Sequence, residues 1–280
     1  MKKILVPTDF SANAGKALEF GIKIAKRASA ELVLMNSCNM VDTLVREKTV
    51  LEKKYNTAQE EATDLELAAL KEDIEINHRI KVSTVVYGGP VISSIIQAVE
   101  DTKADLLVMG TLGNSGIKEK VVGSITSAVI GKINIPLLAV PLMSEWTEPD
   151  KILMAINDFE QEIDAARPVF ELAGLFNSKV LATVYANENV DVVKDYVENE
   201  WGLSDYTDRL KAKYSYTINE AQELYGKKFE KANESYIHEN GVDILAMFTH
   251  KRNFVEEIFR KSVTRKMSYS TNIPMLAIPV

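Results

Sequence analysis

The chain has 280 residues, of which 46% are hydrophobic and 26% are charged, and its net charge is −7. This composition predicts a folded globular protein and excludes intrinsic disorder. The acidic balance argues against a nucleic-acid partner, because nonspecific binding to phosphates depends on clustered Lys and Arg. No stretch approaches the ~18 apolar residues that a membrane span needs, and no signal-peptide core follows the N-terminus, so we expect a cytoplasmic protein with no membrane partner.

The sequence contains few of the residue patterns that usually form metal sites or catalytic sites. The three histidines, His78, His238 and His250, are far apart in the sequence and have no Cys or His neighbours at ligand spacing, so no metal site is predicted. The single cysteine, Cys38, is either a small buried hydrophobic residue or a redox-sensitive thiol. No Ser-His-Asp order or close carboxylate pair stands out, so no catalytic residue is assigned.

In chain order, short runs of β-branched residues alternate with segments of helical spacing. The first half predicts strands at 3–9, 31–38, 80–88, 105–110 and 136–141, and helices at 11–30, 42–73, 90–102 and 123–133. The segment 42–73 is polar and has no Gly or Pro, which is typical of a long exposed helix. Strand alternating with helix predicts an α/β fold with a parallel, doubly wound sheet, whose ligands bind at the carboxyl ends of the strands.

The second half repeats the first. Residues 104–141 align without gaps with residues 242–279 at a constant offset of 138, and 2–10 resemble 150–159 with one inserted residue. The chain is therefore predicted to be a tandem pair of Rossmann-like domains, 1–145 and 146–280, each with a five-stranded parallel sheet and flanking helices. A polar segment with one proline, at 144–150, suits the junction.

A glycine-rich stretch follows the fourth strand. Its spacing is Gly110, two residues, Gly113, nine residues, Gly123 and Ser124, with Thr126 nearby. Glycine lets a ligand approach the backbone, and a helix N-terminus suits phosphate. The alternative is a long surface turn. Neither the P-loop nor the G-x-G-x-x-G pattern is present.

The turn after the first strand, Pro7 to Ser11, is expected at the same edge of the sheet. Asp9 can accept hydrogen bonds from a ribose hydroxyl or an adenine amino group, or it can cap the following helix, and both roles can hold together.

These features resemble the universal stress proteins, whose nucleotide-binding members carry Gly-x2-Gly-x9-Gly-Ser/Thr, a first-strand Pro-x-Asp turn and an Ile-Pro-Val-Leu-type closing strand. The resemblance covers essentially the whole chain as a tandem pair. It implies an adenine nucleotide alpha hydrolase-like fold and ATP, with or without Mg²⁺, in the first domain. It places Pro7, Thr8 and Asp9 at the adenosine, Ser37 beside the base, Met109 and Gly110 over the ribose and α-phosphate, and Gly113, Gly123, Ser124 and Ile125 at the phosphates. Family members usually have His-Val where this chain has Asn36-Ser37.

The second half departs from the pattern. At the offset of 138, the three glycines become Phe248, Lys251 and Lys261, and Ser262 is retained. We expect Phe248 to lie where the ribose would be, and the domain to be structural or regulatory. Its basic residues Lys251, Arg252, Arg260 and Lys261 are interpreted as a solvated face or an anion site.

The closing strands, 136–141 and 274–279, are apolar sheet edges, which tend to find partners. The resemblance implies dimerisation through this strand, so the two halves are expected to pair with each other there. A homodimer of the whole chain is left open.

Three functions are compatible with these patterns. The first is regulatory binding of ATP by the first domain. The second is a nucleotide-independent interaction module with vestigial pockets. The third is slow hydrolysis of ATP, which would depend on Asp9 and bound Mg²⁺.

Overall fold

The computed structural model describes residues 1–38, 50–111, 123–156, 163–187, 192–226, 229–249 and 273–280. In the first half the elements are β1 (Lys3–Pro7), α1 (Ala12–Ala28), β2 (Glu31–Cys38), α2 (Val50–His78), β3 (Val82–Gly88), α3 (Val91–Thr102), β4 (Leu106–Gly110), α4 (Ser124–Ile130) and β5 (Leu137–Val140). In the second half they are β6 (Lys151–Ile156), a 3-10 turn (Ile163–Ala166), α5 (Arg167–Phe176), β7 (Lys179–Asn187), α6 (Val192–Tyr214), β8 (Ile218–Gly226), α7 (Phe229–Asn240), β9 (Ile244–Thr249) and β10 (Met275–Pro279).

The strands of the described residues form one sheet in the order β3-β2-β1-β4-β5-β10-β9-β6-β7-β8. Within each half all the strand pairs are parallel, and the strand order reverses between the first and fourth strands. This confirms the predicted fold class of two five-stranded, doubly wound α/β units. The reversal opens a crevice at the carboxyl ends of the strands, where ligands bind in such folds.

The two halves join through their last strands. β10 runs antiparallel to β5, with Met275 opposite Ala139 and Leu276 opposite Leu138. These four residues are at most 6% exposed. The apolar edges that the sequence analysis singled out therefore lie against each other, because pairing satisfies the backbone groups of both edges and buries their side chains.

Helices cover both faces of the sheet. One buried cluster unites residues of α1, α2, α5 and α6, and a second unites residues of α3, α4 and α7. The long α1 begins where the Ser11 hydroxyl accepts a hydrogen bond from the Ala14 N–H, and it ends at Ser29 in the left-handed conformation. The cap at Ser11 fixes the point at which the chain turns from β1 into α1, and this turn forms one wall of the crevice.

The helix predicted at 42–73 extends further along the chain than predicted. Within the described residues α2 spans Val50–His78, and positions 42–49 lie outside them. It is also not wholly exposed, because Leu67 and Ile74 are buried against the sheet. Two apolar residues seven apart lie on one side of a helix, which turns this part of α2 into a core element.

The junction between the halves is packed. Trp146 makes edge-to-face contacts with Phe20 of α1, at 4.9 Å between ring centroids, and with Phe176 of α5, at 5.8 Å. The predicted domain boundary between residues 145 and 146 stays a prediction. None of the helices described is long and apolar enough to cross a membrane.

Candidate functional site

A cavity of about 380 Å³ opens at the carboxyl ends of β1, β2 and β4. Nine of the ten residues that the family resemblance selected line it, namely Pro7, Thr8, Asp9, Ser37, Met109, Gly110, Gly123, Ser124 and Ile125. The tenth, Gly113, lies outside the described residues. Residues more than 100 positions apart in sequence thus meet at one crevice, and its volume suits a small organic ligand.

The turn after β1 is held by its own side chains. The Thr8 hydroxyl accepts a hydrogen bond from the Phe10 N–H at 3.0 Å, and the Asp9 carboxylate accepts one from the Ser11 N–H at 3.1 Å. Phe10 has a φ of 59°, so the chain reverses sharply here. Because Ser11 is the N-cap of α1, Asp9 does not cap that helix, and its exposed carboxylate stands at the cavity.

Asn36 fastens this turn to β2. Its side-chain N–H donates to the Thr8 carbonyl oxygen at 2.8 Å, and the Thr8 N–H donates to the Met35 carbonyl oxygen at 2.7 Å. Asn36 is 9% exposed, so its amide holds the turn in a water-poor environment. The sequence analysis gave Asn36 no role. A polar residue at the end of an apolar strand is the signal that could have found it.

The Ser37 hydroxyl is engaged with the opposite wall. It donates to the Gly89 carbonyl oxygen at 3.1 Å and lies 3.3 Å from the hydroxyl oxygen of Ser94. It therefore ties the end of β2 to the turn that starts α3. This bond uses the hydroxyl proton, so a ligand beside Ser37 meets mainly its backbone.

The backbone of Ser37 faces the cavity because of strand alternation. On the β1 side of β2, the Glu31 N–H donates to the Lys2 carbonyl oxygen and the Met35 carbonyl oxygen accepts from the Thr8 N–H, while the Leu32 N–H donates to the Lys81 carbonyl oxygen on the β3 side. Ser37 is the next residue whose N–H and C=O point to the β1 side. The pairing of β1 with β2 ends one step earlier, where Pro7 lies opposite Met35. Its N–H and C=O consequently point past the end of β1, where a planar ligand edge could pair with both.

Gly110 lies against the first turn of α1. A Cβ atom on it would come 2.7 Å from the Asn13 carbonyl oxygen, a distance that real Cβ atoms do not show. Its own carbonyl oxygen accepts a hydrogen bond from the Thr126 hydroxyl at 2.8 Å. The glycine is therefore required by the packing of β4 on α1 as well as being placed at the cavity.

The start of α4 completes the rim. Gly123 occupies the N-cap position without a side-chain cap, and its N–H donates to the Thr111 carbonyl oxygen. The next N–H groups, of Ser124 and Ile125, belong to a first helical turn, whose donors have no intrahelical partner. They stand at the cavity edge, opposite the β1 turn.

The walls of the cavity are largely apolar. Met35 and Met109 come from the strands, and Val91 and Ile95 come from α3, which the sequence analysis did not connect with the site. Its remaining lining residues are Ser11, Ala14, Asn36 and Thr126. Among the lining residues described, Asp9 is the only charged one, and no described group of three or more His, Cys, Asp or Glu could hold a metal ion.

The corresponding place in the second half is filled by aromatic rings. Tyr185 stands in the register position of Ser37, and Phe229 begins α7 as Val91 begins α3. Their rings meet edge to face at 5.4 Å between centroids, and the Tyr185 hydroxyl donates to the Gly226 carbonyl oxygen at 2.6 Å. A base-sized ligand has no equivalent slot between these two side chains.

Phe248 differs from the sequence-based expectation. It pairs with Ile278 as Gly110 pairs with Val140, which confirms the alignment of the repeats, but its side chain is fully buried in the core cluster that contains Val169 of α5. The reason is the direction of the Cβ atom, which at this strand position points to the α1 or α5 face rather than into the crevice. The basic residues predicted beyond it, Lys251, Arg252, Arg260 and Lys261, and also Ser262, lie outside the described residues.

A second groove, of about 490 Å³, lies between β8 and α7 at the outer edge of the sheet. Leu224, Tyr225, Lys231 and Glu239 are among its lining residues, and none of the motif residues reaches it. The convergence of the motif residues favours the cavity at the ends of β1, β2 and β4, which we take as the candidate site.

Comparison with known proteins agrees with this geometry. The model of the universal stress protein family matches residues 1–141 and 149–279. Universal stress protein MJ0577 of Methanocaldococcus jannaschii is 32% identical over 155 residues, covering 50% of this chain and 94% of that protein. Universal stress protein MJ0531 of the same organism is 30% identical over 141 residues, covering 50% of this chain and 81% of that protein.

Solved structures show the same fold over the full length. A universal stress protein from Archaeoglobus fulgidus superposes with a TM-score of 0.70 at 19% identity, covering 98% of this chain and 95% of that chain. A universal stress protein solved in complex with cAMP matches half of this chain at 22% identity and a TM-score of 0.37. With both halves matched by the family model and the tandem arrangement matched by a solved structure, the chain belongs to the universal stress protein family and carries two copies of its domain.

Proposed function

We propose that the first half binds ATP as a regulatory ligand and that the second half serves a structural or regulatory role without a matching nucleotide site. The observation that carries this proposal is the convergence of nine motif residues on one cavity of about 380 Å³. In the second half, Tyr185 and Phe229 stand where the cavity would be. Among the described residues, the slot is thus open in the first half and occupied by these two side chains in the second.

The adenine would lie between the apolar walls. Val91 and Ile95 on one side and Met35 on the other offer apolar surface to its faces. The N–H and C=O of Ser37 form an adjacent donor and acceptor, which matches the pattern that adenine presents along its N1 and N6 edge. Guanine presents the reverse pattern there, so we expect selectivity for adenine.

The ribose and the phosphates would follow the rim. Asp9 can accept hydrogen bonds from the ribose hydroxyls, and the N–H groups of Ser124 and Ile125 can donate to phosphate oxygens. Gly113 completes the sequence motif on this side. Mg²⁺ would neutralise phosphate charge and reduce the repulsion between the triphosphate and the Asp9 carboxylate.

A transplant of the second-half aromatic pair tests the proposal. We expect ATP to stabilise the wild-type chain by RT ln(1 + [L]/Kd), about 2.7 kcal/mol at a hundredfold excess over Kd. Ser37→Tyr combined with Val91→Phe should abolish this stabilisation, because it fills the slot with the pair that the second half already holds in the same fold. Val91→Ile, the matched control, should retain it.

Thermal unfolding with ATP, AMP, cAMP and GTP, alongside equilibrium dialysis, gives the readout. If millimolar ATP produces no shift in the wild-type chain, and Gly113→Val behaves like it, the nucleotide proposal is wrong and an interaction module is the better interpretation. Steady release of phosphate that Asp9→Ala abolishes would instead indicate an ATP hydrolase. A preference for cAMP over ATP would contradict the triphosphate assignment while retaining the adenine site.

A further inference from the structure

The long helix α2 carries an apolar seam that its own domain does not cover. The seam consists of Tyr55, Ala58, Ala62, Leu65, Ala69 and Ile76, all of which are exposed. Tyr55 is 51% exposed, Leu65 is 72% exposed and Ile76 is 68% exposed. These apolar residues line one face of α2, interrupted by Glu72, and exposed apolar residues grouped in this way mark an interaction site more often than scattered single residues do.

The seam lies opposite the face that packs on the sheet. Leu67 and Ile74 are buried against the domain, whereas Leu65 and Ile76 point outward. At about 100° per residue, Leu65 is rotated by roughly 200° from Leu67. The helix therefore has apolar residues on two sides. A helix that packs only on the core of its own domain needs them on one side.

Part of α2 also extends beyond the sheet. The Cys38 thiol lies 3.2 Å from the Thr63 hydroxyl, which places Thr63 level with the carboxyl end of β2. The stretch 50–62 therefore projects by about 20 Å, at 1.5 Å per residue, past that edge. From Lys54 to Ala62 every side chain except Asn56 is exposed. The apolar residues of this arm, Tyr55, Ala58 and Ala62, are therefore open to a partner.

We propose that the partner is a second copy of the chain, which binds through the same seam as an antiparallel coiled coil. The seam residues, with Glu72, alternate at spacings of three and four, the pattern of coiled-coil positions a and d. In an antiparallel pair, Ala62 lies opposite Leu65 of the second copy, and Ala58 lies opposite Ala69 of the second copy. The two-fold axis then passes beside Thr63. The projecting stretch 50–62 of each copy therefore lies along the part of the other α2 that packs on its own sheet.

Charge favours this orientation over the parallel one. A parallel pair would place Glu72 against its own copy in the seam and bring Glu61 beside Glu66 of the second copy, which are two repulsive contacts. The antiparallel pair instead places the Tyr55 hydroxyl opposite the Glu72 carboxylate and Lys54 near Glu75 of the second copy. The seam is thus self-complementary, as a two-fold interface requires.

The described side chains of the second half do not repeat the seam on α6. In the described side chains of α6, from Trp201 to Tyr214, the exposed positions other than Trp201 are polar, charged or alanine. A pair formed through the α2 seam is closed rather than a filament, because a two-fold contact uses the same surface on both copies.

Analytical ultracentrifugation of the full chain tests the surface. We expect a monomer–dimer equilibrium in the wild-type chain, and Leu65→Glu with Ile76→Glu should raise its dissociation constant at least about tenfold for each residue, because each charge would be desolvated in the seam. Trp201→Glu, at an equally exposed apolar residue, is the control and should leave the equilibrium unchanged. A chain that stays monomeric, a dimer that resists the double variant, or a dimer that Trp201→Glu breaks would each overturn the proposal.

Cross-linking tests the orientation. Ala58→Cys with Ala69→Cys should form a covalent dimer under mild oxidation, because these positions face each other only between antiparallel copies. They are eleven residues apart on one helix and cannot bond within a chain. The wild-type chain, with its one buried cysteine, is the control. Cross-linking of either single variant to the same extent would show a parallel pair and overturn the arrangement. These tests need no nucleotide, so their outcome is independent of the proposed ATP site.

Discussion

The Asn13 carbonyl oxygen lies 2.7 Å from the point where a Cβ atom on Gly110 would stand. The close packing of β4 on α1 is therefore enough to require glycine at this motif position, whether or not a ligand is bound. The side-chain oxygen of Asn13 is itself buried and accepts no hydrogen bond within the described part of the chain. Gly110 packs against Asn13, which brings β4 close to α1, and its backbone also lines the cavity.

Gly110→Ala should destabilise the first half even without nucleotide. We expect a loss of about 1–3 kcal/mol in the free energy of unfolding, the usual cost of overpacking, because the obstructing atom belongs to the backbone. Gly15→Ala in α1 is the matched control, since a Cβ there meets nothing within 4 Å and should stabilise the helix by about 0.5–1 kcal/mol. Urea unfolding measures both, and equal stability of the two variants would show that β4 and α1 are not in this contact.

Asn36→Ala should loosen the turn after β1. The change leaves the Thr8 carbonyl oxygen without the Asn36 N–H, which should cost about 1–3 kcal/mol of stability. It should also weaken ATP binding, because Asp9 then loses its fixed position. Asn77→Ala, which removes an exposed hydrogen bond to Asp73, should stay within about 0.5 kcal/mol of the wild type. Unchanged stability and affinity in Asn36→Ala would contradict the positioning role.

Glu31 should make part of the free energy of unfolding depend on pH in the acidic range. Hydrogen bonds from Lys81, at 2.9 Å, and Ser83, at 2.8 Å, hold the pKa of its carboxyl below the ordinary value of 4.5. Because the folded-state pKa is depressed, the contribution is present above the unfolded pKa and is lost as the pH falls through the folded one. Glu31→Gln should therefore lower stability at neutral pH and match the wild type in strong acid.

Lys81→Met separates this effect from the packing of β2. It should raise the folded-state pKa of Glu31 toward 4.5, because it removes the largest cause of the shift. NMR titration of the Glu31 carboxyl measures that pKa directly. A pKa that does not move in the variant would show that Lys81 does not contact Glu31 in solution.

Trp146→Ala should loosen the coupling between the two halves. Each of its aromatic contacts, with Phe20 and Phe176, is worth about 0.5–1.5 kcal/mol beyond the burial of the rings, so the variant should lose at least about 1–3 kcal/mol of stability. Calorimetry should show a broader transition than the single one expected of the wild type, whose β5 and β10 share one sheet. Met143→Ala, at a neighbouring residue that is 73% exposed, is the control and should change neither quantity. If Trp146→Ala unfolds like the wild type, Trp146 does not couple the halves.

Local patterns in the sequence were sufficient for the element order. β2 occupies the predicted residues, and the strand alternation that indicates a parallel sheet is present in both halves. The helix predicted at 42–73 was less well placed, because a polar run without Gly or Pro carries no signal for where a helix starts or stops. The contribution of α3 to the cavity was missed for a different reason, since its apolar residues look the same whether they face a core or a ligand.

The sequence by itself determined the duplication and the α/β class, because repeats and periodicity are properties of the chain alone, and the family resemblance selected the residues that line the cavity at the sheet edge. Only the tertiary structure decided how these residues act. It showed that Gly110 is required by the Asn13 backbone, that Phe248 turns into the core, and that Tyr185 and Phe229 fill the second crevice. The physical reason is that the direction of a Cβ atom and the identity of its neighbours depend on how elements distant in sequence pack against each other.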